Sequence, residues 1–157
     1  MIFISHRGNI SSINEEMENT ETYIDKAIKL GYEVEIDLWK VNDVFFLGHD
    51  KPENIVDFDW LEQRKDKLWI HTKNREAFEH LNIINSKFKF FWHTLEPFVF
   101  TSNKIIWAHD YKNIENENLC IVPLLSLKDI NNAKIRNWYG ICTDYPMQCK
   151  RKWKQKK

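Results

Sequence analysis

Short apolar runs recur along this chain and alternate with segments whose apolar residues follow helical spacing. The first run, residues 2–5, has the length and composition of a buried strand. Residues 20–30 then place apolar side chains three and four positions apart, and Gly31 stands where such a helix would end. Since strands separated by helices favour parallel pairing, the pattern predicts an α/β fold on a mostly parallel sheet.

Residues 33–40 show a two-residue alternation that predicts a second strand, with a hairpin partner at residues 44–47. The alternation places Val34, Ile36 and Leu38 on one face and Glu33, Glu35 and Asp37 on the other. Further strands are predicted at residues 68–72, 88–92, 105–108, 119–122 and 140–143, and further helices at 75–84 and 127–137. The connections 94–104 and 110–118 are too short and irregular for full covering helices.

Length and charge restrict the class of protein. The chain has 157 residues, enough for one domain, which we predict at residues 1–149 with a basic tail at 150–157. Its formal net charge is zero, which argues against nucleic-acid binding. The tail is expected to be a solvated end. A weak contact of this tail with anionic lipid, anchored by Trp153, is the alternative.

Cysteine usage and the N-terminal residues favour a cytoplasmic protein. Cys120, Cys142 and Cys149 form no CxxC pair, and an odd number is a poor basis for a disulfide framework. We therefore expect free thiols in a reducing compartment. The first residues lack a basic segment, and no window approaches the roughly 20 apolar residues of a membrane span.

Residues 5–50 contain several side chains of the types that take part in catalysis and metal binding. This strand–helix–strand span holds His6, Arg7, Glu35 and Asp37, with His49 after the hairpin. The guanidinium group of an arginine can donate two parallel hydrogen bonds to phosphate oxygens, and carboxylates bind a hard divalent cation. Two imidazoles move protons in opposite directions near neutral pH. Metal-assisted cleavage of a phosphodiester requires these residue types.

Each of these residues also has an ordinary structural explanation. An acidic pair two positions apart on a strand is a common polar face when it points to solvent. If it points inward, it needs a cation or a proton between the carboxylates. A single histidine is more often structural than catalytic, and Glu18 with Asn19 and Thr20 also suits a helix start. The grouping at strand ends, where barrel enzymes build their sites, favours the catalytic interpretation.

Four linked motifs resemble the signature of the glycerophosphodiester phosphodiesterase family. They are His6-Arg7-Gly8, Glu18-Asn19-Thr20, Glu35-x-Asp37 and His49-Asp50, in the order and spacing of that family. The closing segment, residues 140–146, is similar to the family's last barrel strand. The family belongs to the phosphatidylinositol-phospholipase-C-like phosphodiesterase superfamily of TIM barrels. For a chain this short, the resemblance implies a small, trimmed TIM-type (β/α) barrel with some helices missing.

The resemblance implies a role for each motif residue. His6 and His49 would be the catalytic acid–base pair, and Arg7 would hold the phosphate. Glu35 and Asp37 would bind a divalent metal ion, magnesium or calcium and less favourably manganese, and Glu18 would support that ion. Such enzymes commonly attack phosphorus with a neighbouring hydroxyl of the substrate and then open the cyclic phosphate with water.

The strand predicted at residues 68–72, which corresponds to the third barrel strand of the family, departs from the family pattern. The family usually has Glu-x-Lys on this strand, whereas this chain has His71-x-Lys73. Lys73 would still meet the phosphate, but an imidazole in place of a carboxylate weakens the case for calcium. The middle of the chain resembles a compact branch of the superfamily with no settled substrate. His71, His93 and Trp107 are candidates for a substrate pocket, and core packing is the alternative for the aromatic residues.

The sequence therefore predicts a phosphoric diester hydrolase that depends on a divalent metal ion. Its substrate would be a glycerol, polyol or sugar phosphodiester, free or within a phosphate-containing glycopolymer. Two alternatives stay open: a non-catalytic sugar-phosphate binding domain on the same barrel, and a lyase that releases a cyclic phosphate. Nothing in the sequence indicates an oligomeric interface.

Overall fold

A curled sheet forms the centre of this protein. The computed structural model describes residues 1–84, 87–111, 116–134 and 136–154, which contain ten strands and five α-helices. The strands are β1 (Ile2–His6), β2 (Glu33–Val41), β3 (Val44–Leu47), β4 (Asn54–Val56), β5 (Leu68–Thr72), β6 (Lys89–Phe91), β7 (Phe98–Phe100), β8 (Ile106–Ala108), β9 (Cys120–Pro123) and β10 (Gly140–Thr143). The helices are α1 (Glu21–Lys29), α2 (Phe58–Arg64), α3 (Arg75–Ile83), α4 (Leu127–Asn132) and α5 (Pro146–Lys154).

Each strand and helix predicted from the apolar pattern is present, with small shifts at the ends. The largest shift concerns α4, which ends at Asn132, because Ala133 already has extended backbone angles. Residue 135, inside the longer helix that we predicted, lies outside the described residues. The pattern did not predict β4, α2, β7 or α5.

Seven strands pair in parallel in the order β6-β5-β2-β1-β10-β9-β8. The predicted parallel pairing is present along these seven strands, but the sheet as a whole is mixed. The hairpin β3–β4 adds to the end of β2 in antiparallel fashion, and β7 pairs antiparallel with β8. In the register of β1 with its neighbours, Ile4 lies opposite Cys142 and His6 lies opposite Glu35.

The convex face of the sheet is covered by helices. On β2, the predicted apolar face is confirmed, since Val34, Ile36 and Leu38 are buried against α1, α2 and α3. A second apolar cluster lies under α4 and α5, where Ile130 and Trp153 pack against β9 and β10. Burial of one such aliphatic side chain contributes about 1.5–3 kcal/mol, so packing of the helices on this face stabilises the fold.

The concave face has an apolar floor with polar side chains above it. The floor consists of one inward side chain from each of several strands: Ile4, Trp69, Phe91, Trp107, Ile121 and Cys142. Trp107 stacks on Phe91 with ring centroids 4.5 Å apart, and it also lies against Trp69 at 6.2 Å. One step further along β1, β2 and β5, towards the carboxyl ends, the inward side chains are polar. The polar groups therefore lie above the apolar floor, at the open end of the curled sheet.

The prediction of a trimmed TIM-type (β/α) barrel is wrong. The sheet is a mixed parallel and antiparallel one that curls into a half-barrel, and it lacks a surrounding ring of helices. Among the described residues, no strand ladder joins β6 to β8. The difference lies in residues 92–105, which form β7 and its turn onto β8 in place of a covering helix.

The basic segment at the end of the described chain is partly structural. Residues 150–154 continue helix α5, so the domain boundary predicted at residue 149 falls inside a helix. Trp153 is 6% exposed and packs on Trp138, which removes it from the surface where a lipid anchor would be. Lys152 Nζ donates to the carbonyl oxygens of Ile130, Asn131 and Ala133 at the end of α4. None of the described helices has the length and apolar character to cross a membrane.

Candidate active site

A pocket of about 450 Å³ opens at the carboxyl ends of the parallel strands. It brings together nine of the residues singled out in the sequence: His6, Arg7, Glu35, Asp37, His49, His71, Lys73, His93 and Trp107. Glu18 lines an adjoining cleft that shares His6, Arg7 and His49 with this pocket. Residues far apart in the chain thus meet at one place.

Local backbone geometry sets the direction of each side chain. The acidic face of β2 turns inward, so Glu35 and Asp37 are buried at 3% and 1% exposure. The chain reverses directly after β1, where Arg7 and Gly8 both have positive φ angles of 52° and 93°. A Cβ at Gly8 would lie 2.8 Å from the ring of Tyr23, so this sharp turn needs glycine.

His6 is oriented by a carboxylate that sequence reasoning gave no role. Its Nδ1 lies 2.7 Å from Asp144 Oδ1, while its Nε2 lies 3.8 Å from Glu35 Oε2. Asn9 donates to the same oxygen of Asp144, at 2.8 Å. Burial lowers the pKa of His6, but the Asp144 hydrogen bond and the Glu35 charge outweigh it, so the pKa lies above its ordinary value.

The Asp37 carboxylate is surrounded by hydrogen-bond donors and basic side chains. Asn19 donates to Asp37 Oδ2 at 3.0 Å and accepts from the Asp37 backbone N–H at 3.1 Å. Three nitrogen atoms surround the carboxylate: Arg7 Nε at 3.1 Å, His71 Nδ1 at 3.2 Å and Lys73 Nζ at 3.4 Å. Burial raises the pKa of Asp37, but these three side chains outweigh it and hold the pKa well below its usual value.

Glu35 has the opposite environment. Burial and the adjacent negative charge of Asp37 raise the pKa of Glu35, against the smaller effects of His6, His71 and Arg7. The two carboxylates on one strand face therefore differ strongly in how easily they carry charge. A cation placed between them would favour the charged form of both.

Arg7 and Lys73 supply positive charge to the pocket. Arg7 contacts Asp37 through Nε and Glu18 through Nη1, the latter at 3.1 Å. Lys73 stands at the end of β5, where its backbone N–H donates to the carbonyl of Leu38. Both cations line the pocket beside the carboxylate pair, where they can donate hydrogen bonds to an anionic group.

Glu18 lies apart from the predicted metal ligands. Its Oε1 accepts from Asn9 at 2.6 Å, and its Oε2 accepts from Arg7. The candidate ligand atoms that cluster within 4.8 Å of one another come from Glu35, Asp37 and His71, and Glu18 is not among them. Glu18 therefore positions Arg7 and Asn9 in this structure.

Two buried carboxylate oxygens indicate that the site fits a cation. Glu35 Oε2 and Asp37 Oδ1 are inaccessible to solvent and accept no hydrogen bond of good geometry from the described part of the chain, although His71 Nδ1 and Lys73 Nζ lie 3.2 and 3.4 Å from Asp37 Oδ1. A buried carboxylate oxygen without a hydrogen bond is costly, and a bound cation would remove the cost. Oxygen and imidazole ligands are also a chemically suitable set for a divalent metal ion.

His49 sits at the mouth of the pocket. It follows Gly48, whose φ of 152° and whose close approach to the carbonyl of Lys51 exclude a side chain. Its side chain is 44% exposed, and its Nδ1 lies 2.7 Å from Asp50 Oδ1. Burial and the nearby charge of Arg7 lower the pKa of His49, which favours its neutral form.

Aromatic and imidazole rings form the opposite wall. His93 stacks on His109 with centroids 4.1 Å apart, and its Nε2 donates to the carbonyl of Glu96. Trp107, a predicted pocket residue, is only 4% exposed, so it belongs mainly to the floor. Trp92 at the rim is 39% exposed and offers more surface to a ligand.

Sequence reasoning missed three residues of the site. Asp144 orients His6, Asn9 bridges Asp144 and Glu18, and His109 stacks on His93. Asp144 directly follows a predicted strand, as His6 and Lys73 do, and that position was an available signal. Asn9 lies in a turn and His109 just after β8, where no motif marked either of them.

Comparison with protein-family models, with curated proteins and with solved structures finds no match for this chain. The assignment of a family and an activity is therefore a proposal that depends on the motifs and on the geometry of the pocket.

Proposed function

We propose that this chain is a metal-dependent phosphodiesterase of the glycerophosphodiester phosphodiesterase type, acting on a glycerol, polyol or sugar phosphodiester. One observation carries the proposal. A carboxylate-oriented imidazole, two buried carboxylates with unpaired oxygens, and an Arg–Lys pair line the same pocket. Phosphodiester cleavage needs a proton acceptor, a cation site and phosphate-binding groups within one such volume.

Glu35 and Asp37 would hold the divalent metal ion. Their orphaned oxygens and their burial support this role. When bound, the ion would polarise the phosphoryl oxygens and lower the pKa of a coordinated hydroxyl. Asn19 keeps Asp37 facing the pocket through its paired hydrogen bonds.

Arg7 and Lys73 would bind the non-bridging phosphate oxygens. Both groups touch Asp37 in the structure, so a phosphate competes for them with this carboxylate. Glu18 keeps Arg7 directed towards the pocket through its Nη1 hydrogen bond. The arrangement stabilises negative charge that develops on phosphorus-bound oxygen during the reaction.

His6 and His49 would carry the protons. Because Asp144 accepts from His6 Nδ1, the other ring nitrogen, Nε2, is the one available to move a proton. His49, at the open mouth, would serve the second proton transfer, on the side where an alcohol enters or leaves. One imidazole takes the proton of the attacking hydroxyl, and the other returns a proton to the leaving oxygen.

The test is release of alcohol and phosphomonoester from bis(p-nitrophenyl) phosphate and from a panel of glycerophosphodiesters. The reaction would run with EDTA and with added Mg²⁺, Ca²⁺ or Mn²⁺, for the wild type, His6→Ala and His49→Ala. His80→Gln, which alters an imidazole on helix α3 outside the pocket, is the matched control. We expect turnover that needs a metal ion, persists in the control and is lost in both pocket variants.

The products separate the remaining interpretations. Cyclic phosphate that accumulates instead of being consumed would assign the reaction to a lyase. A folded protein that binds a sugar phosphate in this pocket without turning over any substrate, in any metal, would contradict the proposal and favour a binding domain.

A further inference from the structure

His71 brings an imidazole nitrogen to the buried carboxylate pair. Its Nδ1 lies 3.2 Å from Asp37 Oδ1 and 4.0 Å from Glu35 Oε1. No other group of three His, Cys, Asp or Glu side chains in the described chain gathers its ligand atoms as closely. The third member of the cluster is thus a nitrogen donor.

Two contacts away from the carboxylate pair fix the orientation of the His71 ring. Its Nε2 lies 3.0 Å from the carbonyl oxygen of His93, which only accepts hydrogen bonds, so Nε2 carries the hydrogen. The ring also stacks on Phe91, with an interplanar angle of 5°. Held in this way, the ring directs Nδ1 at the carboxylates. Histidines that bind metals almost always donate their other ring N–H in this manner.

His71 Nδ1 lies close to two buried carboxylate oxygens. Asp37 Oδ1 is 3.2 Å from it, and neither this oxygen nor Glu35 Oε2 accepts a hydrogen bond of good geometry within the described chain. Burial of such oxygens is costly, and a cation bound between these atoms would remove the cost.

We propose that His71 Nδ1 is a metal ligand together with Glu35 and Asp37, and that it makes the site prefer a first-row transition ion over Ca²⁺ and Mg²⁺. Calcium and magnesium are hard ions that take oxygen ligands, whereas imidazole suits softer first-row ions such as zinc, iron and nickel. The inference depends on the proposed function only for the use of the ion in catalysis. Binding of the ion is a separate property.

The test is calorimetric titration of the metal-free protein with Mn²⁺, Zn²⁺, Mg²⁺ and Ca²⁺. His71→Ala is expected to weaken Mn²⁺ and Zn²⁺ binding about 10- to 100-fold. His71→Glu replaces the nitrogen by an oxygen ligand and keeps a site, so the ratio of the Ca²⁺ to the Mn²⁺ dissociation constant should fall about tenfold or more. His80→Gln should leave every constant unchanged.

A spectroscopic measurement detects the ligand without reference to affinity. Pulsed EPR of the Mn²⁺-loaded wild type should resolve coupling to one imidazole nitrogen, and His71→Glu should abolish that coupling. The inference is overturned if His71→Ala binds Mn²⁺ and Zn²⁺ as tightly as the wild type, or if the nitrogen coupling persists in His71→Glu. His71 would then be a polar partner of Asp37 and not a metal ligand.

Failure of this inference and failure of the proposed function are distinguishable. A protein that loses its metal preference in His71→Glu but never cleaves a phosphodiester supports the His71 ligand and contradicts the phosphodiesterase. A protein that cleaves phosphodiesters with the same metal preference in both forms contradicts the His71 ligand and supports the phosphodiesterase.

Discussion

His6 and Asp144 lie 138 positions apart in the chain and are joined by a hydrogen bond of 2.7 Å. Parallel pairing of the first and last strands creates this contact, since Ser5 lies opposite Thr143 one position before each of them. The carboxylate accepts from Nδ1 and leaves Nε2 towards the pocket. The first and last strands along the described chain, which are neighbours within the sheet, thus supply one catalytic unit in the proposed mechanism.

Asp144→Asn should lower phosphodiester turnover by about 100-fold or more, because an amide does not stabilise the imidazolium and also permits the wrong tautomer of His6. The measurement is kcat on the substrate that the panel identifies, with circular dichroism to verify folding. Asp66→Asn, which changes an exposed carboxylate outside the pocket, should retain full activity. Unchanged kcat in Asp144→Asn would refute the role of this contact.

Asn19→Ala should lower the free energy of unfolding by about 1–3 kcal/mol, because two buried hydrogen bonds to Asp37 are lost. Asn19 has a φ of 56°, which alanine tolerates poorly. Asn19→Gly removes the same side chain without that backbone cost, so it should be less destabilised. Urea denaturation of both variants measures the two effects. Wild-type stability in both would contradict the account.

Trp153→Ala should destabilise the fold by about 3–5 kcal/mol, because the indole is buried against Trp138 under helix α5. Trp153→Phe should lose much less, since Trp153 Nε1 makes no hydrogen bond within the described chain. Thermal unfolding of the two variants checks this. If Trp153 were a lipid anchor, the alanine variant would lose vesicle binding and keep its melting temperature.

His109 should stay neutral well below the ordinary range of histidine. Burial, together with the positive charges that His93, His71 and His6 carry when protonated, lowers the pKa of His109 to about 4. Between pH 6.5 and 4 the unfolded chain binds a proton that the folded chain excludes. The stability contributed by His109 is therefore complete above pH 6.5 and is lost as the pH falls towards 4. NMR titration of the ring checks this, and a midpoint near 6.5 would contradict it.

Local sequence patterns predicted the strands and the placement of most site residues. The alternation along β2 specified which face holds Glu35 and Asp37, because a pleated strand sends successive side chains to opposite faces. The turn after β1 was marked by Gly8. Placement at strand ends then brought His6, Arg7 and Lys73 to the same pocket.

Other features depend on contacts that no local pattern encodes. Strand β7 has only three residues, with Phe98 and Phe100 exposed, so it lacks the alternation of a half-buried strand. Helix α5 buries only Pro146, Cys149 and Trp153, and its many charged residues resemble a solvated tail. Whether a sheet closes or stays open depends on long-range pairing of its edges. The predicted barrel was therefore wrong although its parallel strands were right.

The most direct test of the central claim is phosphodiester cleavage by metal-free wild-type protein and Asp37→Asn while a divalent ion is titrated back. The account predicts no turnover in the metal-free wild type, recovery that saturates at one ion per chain, and weak ion binding with negligible turnover in Asp37→Asn. Cleavage that persists in EDTA, or equal cleavage by the two proteins at every ion concentration, would contradict it.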